Sequence, residues 1–142
     1  MATPMQRAWL TSRLGVTEVQ LEVADGFWSR FVGLMLRRSL PACTGLLLKD
    51  CDSVHTAWMR FAIDLLYLDE SGRVLGVRQR VRPWRASVCS RAERARANGR
   101  IDVLELPEGA VTQYGIAVGA TLQMEPDAAL ASGEARCSSQ GV

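Results

Sequence analysis

The sequence predicts an α+β fold, a mostly antiparallel β-sheet or partial β-barrel with short helices. Apolar residues recur in several short runs separated by turn signals, and these runs do not alternate with long helical patterns. The length of 142 residues and the 48% hydrophobic content suit one compact domain. We expect an N-terminal extension over 1–13, a single β-rich domain over 14–125 and a disordered tail over 126–142, which has few apolar residues.

The elements of the first half follow from local periodicity. Residues 17–23 alternate apolar with polar side chains, which predicts a strand with one wet face. Aromatic and apolar residues then recur at helical spacing over 27–35, and Asp25 is placed to cap that short helix. Continuous apolar runs predict further strands over 54–59 and 63–68.

A hairpin is the clearest local feature of the chain. Residues 69–73 read Asp-Glu-Ser-Gly-Arg, and Gly72 can take the left-handed position of a hairpin bulge. The strand over 63–68 should therefore pair antiparallel with a return strand over 74–81. Pro83 ends that return strand or marks a sheet edge.

The elements of the second half begin at another turn signal. Asn98-Gly99 leads into an apolar run that predicts a strand over 101–106. A helical turn is predicted over 107–114, and a last short strand over 121–124 follows Gly119.

The charge is polarised along the chain although the formal net charge is only +2. The window 73–100 holds nine arginines and one acid, Glu93, so it carries +8, and the rest of the chain carries −6. Arg82, Trp84 and Arg85 lie in this window and are a candidate anion-binding group. Arginines interleaved with an aromatic residue can also bind single-stranded nucleic acid, which we favour less. A third interpretation is the solvated face of an edge strand.

Cys51 and His55 are candidate groups for chemistry. They are four residues apart, so they meet only if the chain bends between them. A contact would favour a reactive thiol, or a metal site with Asp64 or Cys89 as third ligand. The other interpretation is a hydrogen-bonded histidine and a small buried cysteine. The chain has no C-x-x-C pair and no second histidine, which excludes the common zinc motifs.

Asp64 stands in an apolar run, where a carboxylate is costly unless it is paired or accepts hydrogen bonds from amides. Arg60 and the amides of residues 59–62 are its nearest possible partners in sequence. Two roles are open for Asp64. It fixes a bend of the backbone at residues 59–62, or it faces a ligand or a metal.

The location of the protein is predicted from its apolar segments. No apolar stretch near the N-terminus is long enough for a signal peptide, and no window resembles a membrane span. We therefore expect a cytoplasmic protein with no membrane contact. The sequence also lacks the phosphate-binding glycine motifs and the G-x-S-x-G elbow, so the commonest nucleotide-binding and hydrolase folds have no support.

Several motifs together resemble the prokaryotic family known as domain of unknown function 192. They are R-F-V-G-L-M-L-R at 30–37, G-L-L-L at 45–48, V-H-T-A-W-M-R at 54–60 with I-D at 63–64, and L-E-L-P-E-G at 104–109. The chain resembles the branch of this family that carries C-x-x-V-H-T before the W-M element, which Cys51, Val54, His55 and Thr56 match. Many relatives have W-M-K-N-T where this chain has Trp58-Met59-Arg60-Phe61-Ala62.

The resemblance implies a compact β-rich domain without an established activity. It also leads us to place five polar or motif residues near a shared pocket: Arg30, Arg37, His55, Met59 and Asp64. We favour a small non-enzymatic binding or accessory domain, without a cofactor, that recognises an anionic small molecule or an acidic protein surface. A site built on Cys51 and His55 is the alternative. The sequence does not specify an oligomeric state.

Overall fold

The computed structural model describes residues 5–24, 39–57 and 59–126. Their strands are β1 Met5–Ser12, β2 Gly15–Ala24, β3 Thr44–Leu48, β4 Ser53–His55, β5 Ile63–Asp69, β6 Val74–Val81, β7 Ala86–Val88, β8 Ile101–Pro107 and β9 Thr121–Met124. Two short helices are described, α1 Arg91–Ala95 and α2 Ala110–Tyr114. The β-rich α+β prediction is confirmed. The helix predicted over 27–35 and the tail from residue 127 onward lie outside the described residues.

Seven strands form one mixed sheet in the order β6-β5-β8-β3-β2-β1-β9. Five of the neighbouring pairs are antiparallel, whereas β2 and β3 run parallel. The prediction of a mostly antiparallel sheet is therefore inexact. Residues 25–43 separate β2 from β3, and a connection of that length can carry the chain back to the start of a parallel neighbour.

The two ends of the sheet meet, so it curls into a partial barrel. Arg73 forms an antiparallel bridge with Thr121, and Leu122 N–H donates to Gly72 O at 2.7 Å. The predicted hairpin is confirmed beside this junction, because Asp69 N–H donates to Arg73 O at 3.0 Å. Gly72 has φ +86°, and a Cβ there would lie 2.1 Å from the carbonyl oxygen of Leu122. Only glycine fits this closure.

The first strand lies in the region predicted as an N-terminal extension. β1 pairs with both β2 and β9 and buries Ala8 and Leu10 completely. The alternation of apolar and polar residues that would predict this strand is short, because Ala8 and Leu10 are the only buried residues among its eight. β1 is nevertheless an interior strand of the sheet, because its partners flank it on both sides.

Both faces of the central strands are buried. All seven residues of β5 are buried, and so are the first six of β8. Leu66 and Leu104 belong to one core cluster, whereas Leu65, Tyr67 and Val103 belong to a second cluster on the opposite face. This alternation follows from the two-residue period of a strand. β4 and β7 form a separate two-stranded ribbon, which contributes Val54 to the second cluster.

Candidate functional site

The ribbon of β4 and β7 positions the residues that follow β6. His55 is exposed at the end of β4, directly opposite Ala86 in β7. The turn Arg82–Arg85 connects β6 with β7, and we call residues 82–85 the basic turn. The strand predicted over 54–59 is shorter in the structure, because the chain leaves β4 at Thr56 to contact this turn.

Thr56 is fully buried and forms hydrogen bonds with four backbone groups of the basic turn. Its hydroxyl donates to Arg82 O at 2.6 Å and accepts from Arg85 N–H at 2.8 Å. Its own N–H donates to Arg85 O at 2.8 Å, and its carbonyl accepts from Trp84 N–H at 3.0 Å. One residue thus binds backbone groups at both ends and in the middle of the turn and fixes its shape.

The basic turn is held in a costly backbone conformation. Trp84 has φ +62° and is 59% exposed. A left-handed conformation costs a residue with a Cβ about 1–2 kcal/mol. Such a conformation persists only where surrounding bonds enforce it, and here Thr56 supplies them.

Uncompensated positive charge collects around this turn. Arg82 and Arg85 are exposed, and neither forms a salt bridge with a residue that the structure describes. The Arg80 side chain is 79% exposed, and its one described ion pair, with Glu108, has N and O 4.0 Å apart. Guanidinium groups without acidic partners are available to an external anion.

Arg78 is different from these arginines because it is tied into the fold. Its guanidinium donates to both carboxylate oxygens of Glu93, at 2.6 and 3.0 Å, and lies 5.0 Å from the centre of the Tyr67 ring. Glu93 also accepts from Ser90 N–H at 2.8 Å in a capping box that begins α1. The Arg78 hydrogen bonds, offset in part by burial, lower the pKa of Glu93 from 4.5 to about 2.

Asp64 is fully buried and accepts three backbone hydrogen bonds. Arg80 N–H donates to Oδ1 at 3.0 Å, while Gly109 and Val111 N–H donate to Oδ2 at 3.2 and 3.0 Å. These partners differ from the predicted ones, Arg60 and the amides of 59–62. Asp64 therefore joins β5 to β6 and to the start of α2, and the three groups that it contacts are backbone amides.

The other predicted ligand residues lie in different surroundings. Met59 is buried in the second core cluster, and His55 is exposed on the ribbon. Arg30 and Arg37 lie outside the described residues. Among the described residues, His55 is the member of this group that lies beside the basic turn.

The residues of the predicted metal group are not assembled. In residues 5–24, 39–57 and 59–126, no three histidine, cysteine, aspartate or glutamate side chains are close enough together to hold a metal ion. Cys51 is half-buried, and its thiol donates to Ser53 O at 3.0 Å. Cys51 also lines a cavity of about 220 Å³ together with Asp50, Arg94 and Arg100. Cys89 is buried, and this burial raises the pKa of its thiol.

The comparisons with known proteins agree with the sequence motifs. The family model for domain of unknown function 192 (DUF192), described as an uncharacterised ACR, matches residues 9–124. The chain belongs to the DUF192 family. A UPF0127 protein of Pyrococcus furiosus is 31% identical over 111 residues, which cover 75% of this chain and 89% of that protein. A UPF0127 protein of Thermococcus sibiricus is 28% identical over 110 residues, which cover 75% and 66%.

Two crystal structures share the DUF192 fold seen here. One is a protein from Sinorhizobium meliloti, provisionally described as a transcription regulator, with a TM-score of 0.73 and 21% identity over 87% of this chain and 96% of that one. The other is a protein of unknown function from Novosphingobium aromaticivorans, with a TM-score of 0.72 and 18% identity over 84% of each chain. At these identities the likeness shows the fold alone. In the described part of this DUF192 chain, no helix is long and apolar enough to span a membrane.

Thr56 and Glu93 are the residues that the sequence prediction missed. Thr56 follows His55 in the DUF192 motif, but its partners are 26 and 29 residues further along the chain, so no local signal shows its role. Glu93 has a visible signal, since Ser90 and Glu93 have the S-x-x-E spacing of a capping box.

Proposed function

We propose that this chain is a small cytoplasmic accessory domain, without catalytic activity, that binds carboxylate groups through the basic turn. The observation that carries the proposal is the exposed Arg82 and Arg85 on a strained turn that buried Thr56 fixes.

The chemistry of the turn suits an acidic ligand. Each guanidinium is planar and always charged, and it can donate two parallel hydrogen bonds to one carboxylate. Because Thr56 fixes the turn before binding, less conformational entropy is lost on binding. Exposed Trp84 supplies an aromatic contact of the kind enriched at binding hot spots, and His55 adds a ring that can donate a hydrogen bond.

The proposed ligand is a carboxylate, carried either by a small organic anion or by an acidic protein surface. Citrate and hexaglutamate represent these two sources in the test. A single-stranded oligonucleotide belongs in the same experiment, because the related fold from Sinorhizobium meliloti is provisionally described as a transcription regulator.

Removing the two arginines of the basic turn should weaken this binding. We expect the double variant Arg82→Ala/Arg85→Ala to bind citrate or hexaglutamate at least about 10-fold more weakly, measured by isothermal titration calorimetry at low salt. The matched control is Arg73→Ala/Arg91→Ala, which removes the same charge from exposed positions of the same window and should change the affinity by less than about 2-fold.

Three results would contradict the proposal. Equal losses of affinity in the two double variants would show that the anion is attracted by the basic surface in general and not bound at the basic turn. Absence of binding at low ionic strength would remove the site. An oligonucleotide that binds more tightly than hexaglutamate, with a steep salt dependence, would replace the carboxylate by a nucleic-acid backbone.

A further inference from the structure

A cavity of about 290 Å³, which we call the barrel-end cavity, lies where β5 ends and β8 begins. The opposite end of the barrel holds α2, whose residue Val111 contacts Asp64 at the start of β5. The floor of the cavity is apolar, because the buried core residues Leu47, Leu68 and Leu122 line it. Mouths of β-barrels are common sites for small ligands, and this volume is near the lower end of the roughly 300–1,000 Å³ typical of ligand pockets.

Asp102 places a buried carboxylate on the wall of the barrel-end cavity. Its side chain is 8% exposed, and Oδ1 accepts from Asp50 N–H at 2.8 Å and from Arg100 Nε at 3.0 Å. No residue in the described ranges 5–24, 39–57 and 59–126 donates a hydrogen bond to Oδ2. An ionised oxygen with so little contact with water gains from a further donor. A ligand that carries an N–H group into the cavity can supply that donor.

Charges of both signs surround the barrel-end cavity. The Asp69 carboxylate accepts four hydrogen bonds from its own hairpin and from Asn98, so the fold already satisfies it. The other charged residues on the rim are two cations and two carboxylates: Lys49, Arg100, Glu70 and Asp102. These four charges balance, so the rim is complementary to a ligand that is neutral overall and carries one charge of each sign.

The barrel-end cavity is already formed, because hydrogen bonds join its walls. Leu122 N–H donates to Gly72 O at 2.7 Å and fixes the hairpin to β9. Glu70 N–H donates to Asn98 O at 3.2 Å and fixes the same hairpin to the segment before β8. A ligand would therefore meet a rigid surface, which lowers the entropic cost of binding.

We propose that the barrel-end cavity binds a small zwitterion with an apolar side chain, of the class of the free aliphatic α-amino acids. Its ammonium group donates to Asp102 Oδ2, its carboxylate pairs with Lys49, and its side chain packs on the leucines of the floor. β6 begins beside this cavity and ends at the basic turn. The site is therefore separate from the one proposed for carboxylates, and it does not depend on it.

The test is a backbone amide NMR titration of the full chain with L-leucine and with three analogues that each lack one part of it. Isocaproate lacks the ammonium group, isoamylamine lacks the carboxylate, and glycine lacks the side chain. We expect L-leucine to shift the amides of Gly72, Arg100 and Leu122, and each analogue to bind at least about 10-fold more weakly.

Two variants connect this binding to named residues. Asp102→Asn should weaken L-leucine at least about 10-fold, because an NH₂ group takes the place of Oδ2 while the amide oxygen still accepts from Asp50 N–H. The matched control Asp52→Asn lies in the neighbouring cavity and should change the affinity by less than about 2-fold. Lys49→Gln should weaken L-leucine about 10-fold and leave isoamylamine unchanged, a difference that a loss of folding does not produce.

Four results would overturn the proposal. Isocaproate that binds as tightly as L-leucine would remove the ammonium contact with Asp102. Isoamylamine that binds equally well would remove the pairing with Lys49 and make the ligand a simple amine. Glycine that binds equally well would remove the apolar floor. Amide shifts that do not saturate, or that spread over the whole surface, would remove the site. Hexaglutamate binding at the basic turn is measured separately and is unaffected by any of these outcomes.

Discussion

Replacing Asp64 with asparagine is expected to lower the free energy of unfolding by about 3 kcal/mol. The two carboxylate oxygens accept from the N–H groups of Arg80, Gly109 and Val111 in a fully buried position. Asparagine has one oxygen and an NH₂ group, so in either orientation a donor would face a buried donor and at least one hydrogen bond would be lost. Urea denaturation followed by circular dichroism measures the change.

The matched control is Asp52→Asn, which makes the same substitution in a more exposed ion pair with Arg94. That change should cost less than about 1 kcal/mol. Equal losses at the two positions would contradict the structural role of Asp64. Unchanged stability combined with lost anion binding would instead return Asp64 to the ligand-facing role that the sequence also allowed.

The second large effect is expected at Gly76, whose missing side chain makes room for Glu93. A Cβ at Gly76 would lie 1.4 Å from Glu93 Oε2, so Gly76→Ala must expel the carboxylate from its bonds with Arg78 and Ser90. We expect a loss of about 2–4 kcal/mol, because separating this pair leaves charged groups without partners. Thermal unfolding at neutral pH measures it.

A double-mutant cycle identifies the cause of that loss. In a Glu93→Ala background the space beside Gly76 is open, so Gly76→Ala should then cost less than about 1 kcal/mol. An undiminished cost in that background would contradict the displacement of Glu93 and would point to the strand backbone itself.

The same pair predicts a pH dependence with a definite sign. Arg78 lowers the pKa of Glu93 in the folded protein from 4.5 to about 2. The stabilisation by Glu93 is thus complete above pH 4.5 and is lost as the pH falls toward 2. We expect the stability difference between wild type and Glu93→Gln to shrink over this interval. A constant difference would contradict the pairing.

Local signals explain which parts of the fold were predictable. Some predicted elements depend only on residues close in sequence, and the structure confirms them. They are the hairpin at 69–73 and the strands over 63–68, 74–81 and 121–124. The parallel pairing of β2 with β3 depends on the path of a long connection, which periodicity does not encode.

The candidate site was predictable only in part, for the same physical reason. The concentration of arginines and the position of Trp84 among them follow from the sequence. The bonds that give the basic turn its shape come from Thr56, which is distant in the chain and lies beside the turn because β4 pairs with β7. Asp64 was expected to bond to nearby amides, yet its partners are 16, 45 and 47 residues away because β5 lies between β6 and β8.

Carboxylate binding at the basic turn is tested most directly by a backbone amide NMR titration with hexaglutamate. The predicted result is that the largest chemical-shift changes occur at the amides of Trp84, Arg85 and Ala86 and at His55 and Thr56, and that they disappear in Arg82→Ala/Arg85→Ala. Changes of equal size around Arg73 and Arg91, or changes that persist in the double variant, would contradict the assignment of the site.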